Sequence, residues 1–282
     1  MIFEEKNLLL HCQENCDIIQ KKTFGVIIVD KINAFLDRIG LCGEKVENTL
    51  DFLGKVQKAC VLTIPYENLD ILSGIPVSLD GDAIYNKIVT ARRGGYCFEL
   101  KALLHHMLEA MGFEVRSCFA RFLRGESNIP FRRHRIVIVE LCGKEYLLDI
   151  GVGQIAPRLP LELCEGLVQH QGDETYRFEK DDILGWVLCD LHKGEWRRYI
   201  CFGSESAFEV DFIPASFWCE KHPDSPFNKA PMLALKTQDG RKTVDGDSFK
   251  IFKGDELVSF IDKLSREQLN CIYSEHFGIE LQ

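Results

Sequence analysis

The segment from 98 to 111 constrains the fold more than any other part of the chain. Leu100, Leu103, Leu104, Met107, Leu108 and Met111 fall on one stripe at helical spacing, and Gly112 stops the run. Two glycines, Gly94 and Gly95, stand just before it. Glycine turns sharply and takes positive φ without steric cost, so the helix is expected to begin directly from a tight turn. Other segments of the first third also read as helical. They are 32–39, with Gly40 as a C-cap, 47–62, which Pro65 ends, and 82–92.

In the middle third the period changes. Residues 114–122 alternate, and 135–141 (RIVIVEL) are rich in β-branched side chains. Cys142-Gly143-Lys144 is a turn signal, and 145–150 (EYLLDI) is the expected partner strand. Further strands are expected at 176–188 and 196–202, forming a sheet or barrel. From about Ser216 onward, turns at Asp239-Gly240 and Asp245-Gly246 separate short strands, and 255–272 reads as a closing helix. An α+β chain results. The 282 residues suffice for one large domain or two to three small ones.

Charge and composition narrow the partners. Thirty-four Lys and Arg against 43 Asp and Glu leave a formal charge of -9. Nucleic-acid binders present a basic face, so no nucleic-acid partner is expected. No run of about 18 apolar residues occurs, and the start MIFEEK lacks the basic and apolar regions of a signal peptide. No membrane association and a cytoplasmic location are expected. In a reducing compartment the 12 cysteines are thiols. The closest pair is Cys12 and Cys16, and C-x-x-C is absent, so no metal site is expected. Most of the cysteines should be small buried hydrophobes.

One cysteine differs in its setting. In Arg92-Arg93-Gly94-Gly95-Tyr96-Cys97-Phe98-Glu99, Cys97 lies at the start of the strongest helix. Unpaired N–H groups and the helix dipole favour an anion there, so the thiol should ionise more readily. Arg92 and Arg93 would help if they point inward, and the same N–H groups could hold an oxyanion. The plainer reading is a small residue capping a packed helix. A nucleophilic cysteine also needs a base and a group to orient that base. Of the eight histidines, His105 and His106 point away along the helix, and most others sit in polar turns. His134 opens the RIVIVEL strand, and Asp149 ends its partner in an apolar run. In a hairpin the two share one end of the sheet. A carboxylate among apolar residues needs a donor, and an imidazole would serve. Each could equally be an ordinary strand-end or turn residue; the order Cys, His, Asp is what joins them.

These elements resemble the arylamine N-acetyltransferase family. The resemblance rests on Ile64-Pro65-Tyr66-Glu67-Asn68-Leu69, on Arg93-Gly94-Gly95-Tyr96-Cys97-Phe98-Glu99, on His134 with its β-branched strand, and on Asp149-Ile150-Gly151-Val152-Gly153. It is clear from about Ile32 to Arg158 and weaker through Ser225-Pro226-Phe227-Asn228 and Asp239-Gly240-Arg241. It implies a three-part fold: an N-terminal helical bundle (32–112), a β-barrel (113–215) and an α/β lid (216–282), with a core similar to papain-like cysteine proteases. Residues 1–31 would be an extension of unknown role.

The implied activity is transfer of acetyl from acetyl-CoA to an aromatic amine, hydrazine or N-hydroxyarylamine. Cys97 would be the acetylated nucleophile, His134 the base and Asp149 the carboxylate that orients it, in a ping-pong route. Gly151 and Gly153 match a loop lying near CoA in relatives. Arg132 and Arg133 are candidates for the CoA phosphates by position. Glu67, Asn68 and Glu99 are read as structural, holding loops around Arg92 or Arg93. The chain departs from the family at Val152, where an aromatic residue is common, and at Gln154, where glycine is frequent. Two rival readings stay open: a papain-like hydrolase or amidase, and an inactive module that binds CoA or an aromatic ligand.

Overall fold

The protein, described by a computed structural model, is seen over residues 27–281. The first 26 residues of the expected N-terminal extension lie outside the described residues. Ile27, Ile28 and Val29 belong to a helix, α1, over 27–38, which crosses the position where the extension was expected to end. Phe35 and Leu36 are the buried side of α1. Its Arg38 is also buried, and its guanidinium donates to the carbonyls of Ile88, Thr63, Arg92 and Arg93. One side chain thus holds the backbone that leads into the glycine turn.

Helix α2 (Leu50–Thr63) begins at Thr49, whose hydroxyl accepts from the Phe52 N–H at 3.2 Å. Strand β1 (Tyr66–Glu67) and the short helices α3 (Leu69–Leu72) and α4 (Gly81–Tyr85) follow. The helix expected over 82–92 is split: α4 passes into a π-helical turn, Asn86–Thr90. Helix α5 (Cys97–Ala110) matches the apolar stripe, with Phe98, Leu100, Leu103, Leu104 and Leu108 essentially inaccessible. Burying each contributes about 1.5–3 kcal/mol. The helix therefore sits in the centre of the core, against α2, α1 and one face of the next sheet.

That sheet has eight antiparallel strands in the order β5-β4-β3-β2-β9-β8-β7-β6. They are β2 (Glu114–Phe122), β3 (His134–Leu141), β4 (Lys144–Leu148), β5 (Leu161–Glu162), β6 (Gln169–Gln171), β7 (Glu174–Asp181), β8 (Gly185–His192) and β9 (Glu195–Phe202). The strand expected at 176–188 is a hairpin, because the turn before Gly185 (φ 77°) interrupts it. Strand β3 is buried on both faces. Ile136 and Ile138 join a cluster with Phe178, Leu188, Tyr199 and Ile200, while Val137 and Val139 pack with α5.

The two ends of the sheet meet through side-chain amides. Gln169 on β6 accepts from the Glu162 N–H and donates to the Glu162 carbonyl of β5, at 2.8 and 2.9 Å. Gln171 makes the same pair of bonds with Leu159, at 2.9 and 2.8 Å. Each primary amide imitates a peptide group, so the edge strands are satisfied and the sheet is nearly a closed barrel.

A second, five-stranded antiparallel sheet forms the third part, in the order β1-β10-β11-β12-β13. Helix α6 (Ile213–Lys221) precedes it, and β10 (Met232–Thr237), β11 (Gly240–Asp245), β12 (Ser248–Lys253) and β13 (Glu256–Ile261) make its meander. Helix α7 (Arg266–Phe277) covers it. The closing helix expected over 255–272 is thus half wrong. Residues 256–261 are a strand, as suits Val258, Phe260 and Ile261, and Ser265 caps the helix that follows. The three-part architecture implied by the resemblance is present. Among the described residues no helix is long and apolar enough to cross a membrane. The ten described cysteines are all free, and six of them are buried.

The glycine turn packs differently from expectation. Neither Gly94 nor Gly95 has positive φ; that conformation falls on Arg92, at 54°. Space is what the glycines supply. A Cβ on Gly94 would lie 2.2 Å from the Pro65 carbonyl oxygen, and one on Gly95 would lie 3.1 Å from the Glu99 carboxylate. The room goes to the protein itself and not to a substrate. Glu67 N–H donates to Gly95 O at 3.0 Å, locking β1 to the turn. Gly94→Ala should therefore destabilise by about 3 kcal/mol, the upper end of the usual overpacking cost. Thermal unfolding would show a drop of several degrees, and an unchanged midpoint would contradict this packing.

Candidate active site

Cys97 is the first residue of α5. Its preceding residue, Tyr96, is fixed by two bonds. The Tyr96 N–H donates to the Glu99 carboxylate at 3.1 Å, and its hydroxyl bonds Ser216 Oγ from α6. Glu99 in turn pairs with Lys87 at 2.8 Å. Lys87 also holds Asp70, and Arg93 bridges Glu67 and Asp70 at 2.8 Å each. Asn68 donates to the Phe227 and Ala230 carbonyls and accepts from the Met232 N–H, all at 2.8 Å, tying the bundle to the lid. The structural reading of Glu67, Asn68 and Glu99 agrees with these contacts. Arg93 is spent in this network, and Arg92 is exposed near Asp37, so neither supplies charge to Cys97.

His134 and Asp149 come together as the hairpin argument required. The register pairs Val137 with Leu148, which puts the start of β3 beside the segment just after β4. His134 Nε2 lies 2.8 Å from Asp149 Oδ2, and both side chains are buried. An ionised carboxylate only accepts, so Nε2 carries the proton and Nδ1 is left as the acceptor. Asp149 Oδ1 accepts from the Gly151 N–H at 3.1 Å and is in ionic contact with Lys101 Nζ. Lys101 is fully buried on α5, one turn after Cys97. Sequence reasoning passed over it. The signal was a lysine four residues from Cys97 on a helix face otherwise filled by apolar side chains.

Cys97 and His134 both open on one cavity of about 420 Å³. Tyr66, Phe122 and Phe227 give it aromatic walls, and Val152, Ala234 and Val244 add aliphatic ones. Gly151 and Gly153 line it as well. A Cβ on Gly151 would come 3.2 Å from Cys97 Cα, so this glycine lets the loop reach the helix start. Gly153, at φ 64°, faces Tyr66 and Ala234. Arg133 and Lys250 are cations on the wall, and Arg133 also pairs with Glu126 at 2.6 Å. Arg132 points elsewhere, toward Glu205.

The electrostatics differ from the simple helix-terminus argument. Burial pushes the Cys97 thiol up, and nearby Cys219 and Asp149 act the same way. Lys101 and the Phe98 N–H oppose them without prevailing. Burial likewise lowers the basicity of His134, with Lys101 adding to it and Asp149 opposing. For Asp149, burial alone would raise the pKa; the Lys101 ammonium and the His134 ring outweigh it and hold it down at about 2. Lys101 is lowered by burial, against the attraction of Asp149 and Cys97.

The sequence profile of the N-acetyltransferase family matches residues 49–282. The arylamine N-acetyltransferase of Mycobacterium tuberculosis is 33% identical over 258 residues, covering 89% of each chain. This chain belongs to the arylamine N-acetyltransferase family, and it is an acyltransferase. The solved structure of the Salmonella typhimurium arylamine N-acetyltransferase superposes with a TM-score of 0.84 at 28% identity, over 88% of this chain and 91% of that one. The Mycobacterium marinum enzyme, solved in complex with CoA, gives a TM-score of 0.82 at 31% identity, over 88% of this chain and 92% of that one.

The depressed pKa of Asp149 has a consequence for stability. A carboxyl lowered from its ordinary 3.8 to about 2 contributes stability that is fully present above about pH 4. That contribution is lost as the pH falls through about 2. Urea unfolding from pH 6 to pH 2, compared with Asp149→Asn, should show the two proteins converging only at the acid end. A constant difference across that range would contradict the buried ion pair.

Proposed function

We propose that the protein transfers the acetyl group of acetyl-CoA to an arylamine, hydrazine or N-hydroxyarylamine through an acetyl-Cys97 thioester. The observation that carries this reading is the opening of Cys97 and His134 on one apolar cavity, with Asp149 2.8 Å behind His134 Nε2. In the resting site a buried thiol is a poor nucleophile. His134 Nδ1 takes its proton, and the thiolate forms only with an imidazolium beside it. Asp149 stabilises that imidazolium and fixes the ring.

The thiolate then attacks the thioester carbonyl. The carbon–sulfur bond to CoA breaks, and the CoA sulfur leaves with the proton from His134. The Phe98 N–H, at the start of α5, is suited to the transient oxyanion. In the second half the amine attacks acetyl-Cys97, His134 takes the amine proton, and the Cys97 sulfur is released. CoA runs along Gly151-Val152-Gly153, with Arg133 and Lys250 as the cations for its phosphates. The aromatic acceptor lies against Tyr66, Phe122 and Phe227. Valine at 152 leaves the acceptor more space than an aromatic residue would.

Mass spectrometry after brief exposure to acetyl-CoA tests the reading. One acetyl group should appear on the Cys97 peptide and disappear when an arylamine is added. Cys97→Ser should form no adduct yet keep its thermal midpoint. Asp149→Asn should lower turnover by about 10⁴, the size seen when the wrong imidazole tautomer is held. CoA release without any adduct would favour the hydrolase reading, and CoA binding with neither would favour an inactive binding module.

A further inference from the structure

A lysine is almost never fully buried without a partner, and desolvating it costs several kcal/mol. Lys101 has no exposed surface at all, on a helix whose neighbouring positions are filled by Leu100 and Ala102. An apolar side chain would be the ordinary occupant. Its ammonium is in ionic contact with Asp149 Oδ1. The loop closes on it so tightly that a Cβ on Gly151 would come within 2.9 Å of Nζ. We propose that Lys101 is a positioning and charge-supplying residue for acetyl transfer: it holds Asp149 through Oδ1, leaves Oδ2 to His134, and provides the positive charge against which Cys97 becomes a thiolate. The proposal rests on the catalytic reading above.

Charge balance is the reason. Four charged or titratable groups face the ammonium. Cys97 lies on its own helix, Asp149 in the loop after β4, and His134 and Arg135 on β3. Arg135 is already neutralised by Glu209, whose two carboxylate oxygens take both its terminal nitrogens. Lys101 and Asp149 cancel each other within the site. Moving the Cys97 proton to His134 then adds a second cancelling pair, and the buried cluster stays neutral in both states. Without the ammonium, the thiolate state would carry two negative charges against one positive charge, out of reach of water. Lys101 also repels the imidazolium, so that His134 gives up its proton more readily to the leaving sulfur.

Iodoacetamide alkylation of Cys97, followed from pH 4 to pH 10 by peptide mass spectrometry, tests this in the full chain. Lys101→Met removes the charge at similar volume, and Lys101→Gln keeps a donor for Asp149 without charge. The thiol should become harder to ionise in both. The acid half-point of alkylation should move up by about one pH unit, a roughly tenfold loss of rate on its acid side. A structural role alone would leave it where it is. An unchanged half-point in either folded variant overturns the charge-supplying role. Should both variants fail to fold, the charge-keeping Lys101→Arg decides: its acid half-point should stay at the native value, and a rise of about one pH unit with the charge kept overturns the charge-supplying role. Acetyl-CoA separates the two readings. An acetyl adduct on native Cys97 with an unmoved half-point removes Lys101 alone, whereas no adduct on the native protein removes the catalytic reading and the proposal together.

Discussion

The first turn of α5 is held by two close approaches of glycine backbone. Gly94 lies under the Pro65 carbonyl, and Gly151 lies against the Cα of Cys97. These two contacts bring β1, the start of α5 and the loop after β4 to one point. The eight-stranded sheet reaches that point through Asp149 and His134, and the lid reaches it through β1, which is the edge strand of the second sheet. All three parts of the fold therefore meet at the residue in position 97. A side chain on Gly94 would push β1 away from the start of α5.

Around this point the buried charges are arranged in two separate sets. Glu67, Asp70 and Glu99 share Lys87 and Arg93 and hold the turn. Asp149 shares Lys101 and His134 and faces Cys97. The first set is structural, because its cations are consumed by three carboxylates. The second contains the titratable groups that reach the cavity. Arg93, near the cysteine in sequence, serves the first set, while the cation beside Asp149 comes from one helical turn beyond Cys97. Adjacency along the chain was a poor guide to which charge acts where.

Sheet closure shows the same separation between pattern and outcome. Alternation marked 114–122, and β-branched side chains marked 135–141, a strand buried on both faces. It merged two strands across 181–185, where a tight turn carries little hydrophobic signal. At 255–272 it read a helix through a strand that sits at the sheet's edge, with Leu257, Val258, Phe260 and Ile261 exposed. Edge strands bury little, so their pattern is weak. The amide clasp of Gln169 and Gln171 left no trace in the pattern at all.

The residues proposed to carry the chemistry could be singled out in the sequence because each has a local reason to be where it is. Cys97 follows a glycine turn and opens an apolar stripe, His134 opens a β-branched strand, and Asp149 interrupts an apolar one. Helical and strand periodicity then carried the α+β architecture. Tertiary structure alone decided the electrostatics. Burial reversed the expected ease of ionising Cys97, sent Arg93 into a salt-bridge network, and set Lys101 against Asp149. Such effects depend on distance and on exclusion of water between residues far apart in the chain, and a linear order of side chains encodes neither.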